Sequence, residues 1–147
     1  MNGHGLFYNF ALTGRIKTLL FCGKERAPVE IPLSATQERI LMMTCQRGSV
    51  SMKILSEEAG LEKGSLTPVV DSLEELGLVK RVRSQKDLRS FEIYPTVAGL
   101  RQAEIVESFY DARIKKMLNG LTERERAEFT AALQTLGSMI PRLKGDN

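Results

Sequence analysis

The residues best suited to chemistry in this chain are basic and crowded. Between Lys80 and Arg89, five of six charges are positive: Lys80, Arg81, Arg83, Lys86 and Arg89 stand against Asp87 alone. That window carries +4 in a chain whose formal total is +3, so everything else sums to −1. Guanidinium and ammonium groups gathered in this way suit phosphate oxygens and the negative potential of a DNA groove. A second set precedes them. Lys63, Ser65 and Thr67 come early in one segment, and Asp71, Glu74 and Glu75 come late. Phosphates would repel the late acids, so a polyanion would meet only the early residues.

Catalysis has little to work with. There is one histidine, His4, near the N-terminus. No metal-ligand cluster, glycine-rich phosphate loop or paired acid/base motif is visible, so no enzyme and no cofactor is expected. Cys22 and Cys45 are too few and too sparsely placed for a disulfide framework or a zinc site. Lys24 and Arg26 near Cys22 would favour a thiolate, which makes Cys22 the candidate for a redox sensor. Cys45, beside Met42 on an apolar helix, reads as core.

The elements that must position these groups follow from composition and punctuation. At 147 residues, 42% hydrophobic and 27% charged, the chain fits one globular domain. No run approaches the roughly 20 apolar residues that span a bilayer, and the N-terminus does not read as a signal peptide, so a cytoplasmic protein is expected. Phe10, Leu12, Ile16, Leu19 and Leu20 have roughly helical spacing, and "RAPVEIPLS" (26–34) reads as a linker. "SATQ" is a capping box at Ser34 and Gln37, opening a helix to about Gln46. A short extended "SVS" (49–51) leads to a helix capped by Ser51 and ended by Gly60. A third helix spans about 63–76, with Leu66, Val69, Val70, Leu73 and Leu76 on one face. Residues 78–84 and 91–95 alternate as a β-hairpin around a polar tip. Thr96 caps a long helix to about Asn119, and Thr122 with Glu125 caps another. On that last helix Phe129, Leu133, Leu136, Ile140 and Leu143 recur at spacings of 4, 3, 4 and 3, a coiled-coil-like seam. Three short helices followed by a hairpin make a winged helix-turn-helix in a mainly α protein.

At these residues the chain resembles the MarR family of winged helix-turn-helix transcriptional regulators. "AGLEKGSLTPVVDSLEELGLVKR" (59–81) is similar to the family's recognition helix. "KDLRSFEIYPTVAG" (86–99) is similar to its wing, with Asp87-x-Arg89 and then Thr96-x-x-Gly99. The resemblance implies a single domain over 1–147, with a DNA-binding lobe at 33–95 and dimerisation helices at 1–27 and 96–147. It implies a homodimer on a palindromic operator, a wing arginine in the minor groove and an aspartate that braces the hairpin. Two departures stand out. Pro95 replaces the family's usual Leu, and Pro68 stands where many members carry an arginine that contacts DNA. The "GSLTP" run is similar to the thiol-based peroxide-sensing branch.

The expected function is therefore a sequence-specific DNA-binding regulator, repressor or activator. Its contacts would come from Lys63, Ser65, Thr67, Arg81, Arg83, Lys86 and Arg89, with Asp87 bracing the wing. Phe10, Ile16, Phe129, Leu133, Leu136, Ile140 and Leu143 would form the dimer core. Double-stranded DNA, a second copy of the chain and a small-molecule effector are the expected partners, and no membrane is. Met42, Met43, Met52 and Met117 either line an apolar effector pocket or fill core gaps. Two alternatives remain at this stage: a redox-sensing regulator of the same fold, and a winged-helix module that binds protein and never reads sequence.

Overall fold

The computed structural model describes residues 6–21 and 25–143. Cys22 and His4 lie outside the described residues, as do the side chains of Phe10 and Lys63. The elements run α1 (Leu6–Phe21), α2 (Ala35–Arg47), β1 (Val50–Ser51), α3 (Met52–Ala59), α4 (Lys63–Glu75), β2 (Val79–Arg83), β3 (Phe91–Pro95), α5 (Val97–Leu118) and α6 (Glu123–Leu143). They fall into two compact units: Gly23–Tyr110, and a second containing α1, the chain from Asp111 and α6.

In the first unit the local signals act as their chemistry dictates. The Ser34 hydroxyl accepts from the Gln37 backbone N–H at 3.2 Å, and the Gln37 side chain accepts from the Ser34 N–H at 2.8 Å. Both orphan donors at the start of α2 are thus satisfied. Ser51 caps α3. Gly60 ends that helix at φ 61°, a left-handed conformation that glycine adopts without a Cβ penalty. The hairpin pairs Val79 with Pro95 and Arg83 with Phe91. It is not alone: β1 adds to the other side of β3, giving an antiparallel sheet in the order β1-β3-β2. The sheet closes over a core in which Ile40, Leu41, Leu55, Leu66, Leu73, Leu78 and Ile93 are fully buried.

Hydrogen bonds tie residues on both sides of 33–95 into this unit. The linker residue Ile31 donates its N–H to Gln102 Oε1 at 3.3 Å and accepts from Gln102 Nε2 at 2.8 Å. Gln102, Ala103 and Val106 on α5 are buried. Tyr110 donates its hydroxyl proton to Glu38 of α2 at 3.0 Å. The start of α5 is fixed by Thr96, whose hydroxyl donates to the Gly77 carbonyl at 2.6 Å and accepts from the Gly99 N–H at 3.0 Å. Gly99 has to be glycine: a Cβ there would lie 2.0 Å from the Leu78 carbonyl oxygen.

The second unit is built differently. Thr122 and Glu125 cap α6: Thr122 N–H and its hydroxyl both donate to Glu125 Oε2 at 2.8 Å, holding that carboxyl below its ordinary pKa range. No described residue of this unit is buried. Ile16 and Phe129 are half-buried, and Leu133, Leu136, Ile140 and Leu143 are exposed.

Candidate nucleic-acid interface

The orientation of α4 follows from its burial. Leu66, Val70 and Leu73 face the core with no exposure. At 3.6 residues per turn the opposite direction belongs to Gly64, Pro68 and Glu75, and all three are exposed. Ser65 is exposed on one flank. Thr67 lies on the other flank, on the same helix face as Asp71 and Glu74; it is half-buried and engaged in an interaction of its own. Ser72 accepts a hydrogen bond from Gln37 Nε2 at 2.8 Å, which ties α4 to α2.

Arg81 departs from the expectation of a free phosphate ligand. Its guanidinium pairs with Asp71, and its Nε lies 3.8 Å from Glu74 Oε2. Its backbone N–H donates to Glu74 Oε1 at 2.9 Å. Only 25% of its side chain is exposed. The physical reason is local: Asp71 and Glu74 lie three residues apart on one face of α4, and the turn at Gly77 brings β2 back across that face. Arg81 therefore clamps the wing to the helix and offsets the late acids, rather than reaching outward.

The remaining wing cations are differently placed. Lys80, Arg83, Lys86 and Arg89 are exposed, and no ion pair holds them among the described residues. Arg83 stands over the Phe91 ring at 5.8 Å and Lys80 over Tyr94 at 6.0 Å, distances at which a cation is attracted to the ring face. The tip is ordered by short polar links. Asp87 Oδ1 accepts from the Arg89 backbone N–H at 3.0 Å. The Asp87 carbonyl accepts from the Ser90 N–H at 2.9 Å and from its hydroxyl at 3.0 Å. Ser84 N–H donates to the Ser90 carbonyl at 3.0 Å. Sequence reasoning passed over Leu88, which stands 70% exposed between Asp87 and Arg89. It also left Lys80 out of the contact set, although the period-two alternation of Val79 and Lys80 marked it as outward-facing.

Two hollows lie in the same unit. One of about 160 Å³ is lined by Met42, Cys45, Gln46, Leu100, Ala103, Glu104 and Glu107. A more open one of about 460 Å³ is lined by Pro28, Glu104, Ile105, Ser108 and Phe109. Met43 and Met52 pack against the core and line neither hollow. Cys45 is half-buried with its Sγ 3.8 Å from the Gly99 carbonyl, and burial pushes its pKa up to about 11. Among the described residues no group of three His, Cys, Asp or Glu side chains is placed to hold a metal. No described helix is long and apolar enough to cross a membrane.

The model of the MarR family matches residues 33–91, the stretch from the linker through α2, α3 and α4 to the wing. Over that stretch the chain matches the MarR family. The MarR domain is that of a transcriptional regulator with a DNA-binding winged helix, not of an enzyme. The HTH-type transcriptional regulator SarZ of Staphylococcus haemolyticus is 28% identical over 112 residues, 76% of this chain and 68% of that protein. Among solved structures, FabT of Streptococcus pneumoniae in complex with DNA superposes with a TM-score of 0.68 at 23% identity, covering 93% of this chain and 97% of the other. PcaV of Streptomyces coelicolor, in complex with its natural ligand, gives 0.60 at 20% identity, covering 94% and 98%. At those identities the two structures share the MarR fold with this chain, and the placement of side chains must be judged from its own residues.

Proposed function

We propose that this MarR-family chain acts as a homodimer that binds palindromic duplex DNA and is released or retained by a small effector. The observation that carries the reading is the wing. Arg83, Lys86 and Arg89 are exposed and in no ion pair among the described residues, whereas Arg81 is committed to Asp71 and Glu74 of α4. Positive charge is therefore concentrated at the hairpin, beside an α4 whose exposed early turns carry no acid. Arg83, Lys86, Arg89 and Lys80 contact phosphates or the minor groove, with Asp87 holding the tip in shape. Ser65 and Thr67, with Lys63 at the helix start, approach base edges in the major groove.

Self-association is supported by α6. A helix with apolar residues every three or four positions gains nothing from leaving them in water. Leu133, Leu136, Ile140 and Leu143, with Phe129, and Phe10 and Ile16 of α1, fit a shared core with a second copy. In such a dimer the two α4 helices must sit about one turn of DNA apart, roughly 34–36 Å, to enter successive major grooves. An effector that binds one spacing better than another shifts the equilibrium only by its differential affinity. The hollow at Pro28, Ile105 and Phe109, where the linker meets α5, suits a small, partly apolar molecule.

Two measurements test this. Sedimentation of the full chain should give a species of twice 16.4 kDa. Titration of duplex DNA at several salt concentrations should give a log–log slope of about −0.9 per phosphate contact. A monomer at micromolar concentration, or binding indifferent to salt, overturns the reading. Nothing at Cys45 favours the thiol-sensing alternative, because a pKa of about 11 leaves little thiolate at neutral pH.

A further inference from the structure

The part of α4 that projects farthest from the core carries almost no hydrogen-bonding side chain. Leu66, Val70 and Leu73 point inward, so Gly64 and Pro68 lead outward in the first two turns. Gly64 has no side chain. Of the polar groups on α4, Asp71 and Glu74 are engaged by Arg81, Ser72 by Gln37, and Thr67 is half-buried and partnered, while Ser65 is exposed on one flank and Glu75 points outward two turns beyond Pro68. The Pro68 ring is therefore the first side chain that a groove entered by this helix would meet. Proline inside a helix sacrifices a backbone hydrogen bond, yet α4 runs unbroken from Lys63 to Glu75 with Pro68 inside it.

A pyrrolidine ring can neither donate nor accept. Pressed against guanine, adenine or cytosine, it would leave base-edge donors and acceptors desolvated and unpaired. The major groove offers one apolar group, the C5-methyl of thymine. We propose that Pro68 is a specificity-determining residue that reads a thymine methyl in each half-site. The inference rests on the DNA-binding reading above and adds the base that the centre of the helix selects.

The experiment uses the full-length chain and a randomised duplex pool. Wild-type protein is expected to enrich a sequence with thymine fixed at one position of each half-site. Replacing that thymine with deoxyuridine removes only the methyl. Affinity should then fall about fourfold per half-site, the fold-change expected for one buried methyl-sized group. Pro68→Ser restores a backbone N–H and should fold at least as well as the wild type, which thermal unfolding verifies. In that variant the deoxyuridine penalty should vanish while the salt dependence stays as in the wild type. Enrichment of a sequence with no deoxyuridine penalty at any thymine, or with a penalty that Pro68→Ser retains, overturns the role of Pro68 and leaves the DNA-binding reading standing. No enrichment at all overturns both.

Discussion

Leu66, Val70 and Leu73 of α4 recur at helical spacing and are fully buried. Leu133, Leu136, Ile140 and Leu143 of α6 recur at the same kind of spacing and are between 46% and 72% exposed. The pattern that guides a helix onto a core is thus present in both places and satisfied in one. Within Gly23–Tyr110 the stripe meets α2, α3 and the sheet, and its polar groups are closed by caps and by the Gln102 and Thr96 links. In the unit of α1 and α6 the stripe has no buried residue anywhere along it. Periodicity specifies that a face will be covered. It does not specify by what, and here the coverage within one chain differs between two regions of equal helical regularity.

The sharpest way to break the self-sufficient region is at Gly99. A methyl group there would stand 2.0 Å from the Leu78 carbonyl oxygen, and that oxygen also accepts the Thr96 N–H. Backbone on both sides would have to move. Gly99→Ala should cost at least about 3 kcal/mol in urea unfolding, at the upper end of what overpacking does. A loss below about 1 kcal/mol would show that the α5–wing junction is looser than the hydrogen bonds indicate.

The opposite region should break in a different currency. Leu136→Asp combined with Ile140→Asp should raise the dimer dissociation constant by about thirtyfold to a hundredfold, equivalent to roughly 2–3 kcal/mol. Near-ultraviolet circular dichroism of the lobe should be unchanged, because neither residue belongs to its core. Sedimentation across a concentration series reads the outcome. If the double variant self-associates as the wild type does, the α6 stripe is not the interface.

Much of the lobe was legible because its signals are local. The Ser34–Gln37 box, the glycine stop at residue 60 and the period-two strands all act over a few residues, and each element formed within a residue or so of its expected place. What escaped notice depends on long-range closure. The extended stretch at 49–51 was expected but its pairing was not: β1, Val50–Ser51, becomes a strand because β3 offers a free edge. Gln102 holds backbone atoms of Ile31, and backbone partners leave no trace in side-chain type. The pairing of Arg81 with Asp71 and Glu74 went unread for a related reason. Counted in a basic run it resembles its neighbours, yet Asp71 and Glu74 share a helix face and precede a tight turn, so a pairing was readable had the turn been folded first.

Arg81 and Arg89 therefore divide one residue type between two tasks, and substituting each separates them. Arg81→Ala leaves Asp71 and Glu74 uncompensated beside the wing. It should cost about 1 kcal/mol of lobe stability, since the pair is partly exposed and only modest in value. It should weaken DNA binding without changing the slope of log affinity against log salt. Arg89→Ala should leave thermal stability within about 0.5 kcal/mol. It should flatten that salt slope by about 0.9, as expected when one phosphate-type contact is lost. If the two variants show the reverse pattern, the free and the committed arginine have been exchanged.

The smallest effect on stability concerns Cys45, a half-buried thiol of the lobe. Burial raises its pKa from 9.0 to about 11, because the thiolate is costlier to hold away from water than in it. The folded state thus retains the proton more tightly than the unfolded chain does. Any contribution to stability from this site is fully present below the unfolded pKa of about 9 and is lost as pH rises through about 11. At neutral pH the stability term should therefore be flat, and Cys45→Ser should leave its pH dependence unaltered below about pH 8. The thiol itself should react slowly. Relative to an unshifted cysteine, a two-unit rise leaves about a hundredfold less thiolate near pH 8, so alkylation in a Cys22→Ser background should slow by about that factor and recover in urea. Peroxide treatment of the same variant should leave DNA affinity where it was. Rapid alkylation, or release of DNA by peroxide, would mean that the lobe opens at Cys45 on the timescale of the reagent, and that the contrast between a sealed lobe and an unsatisfied helical unit is one of degree.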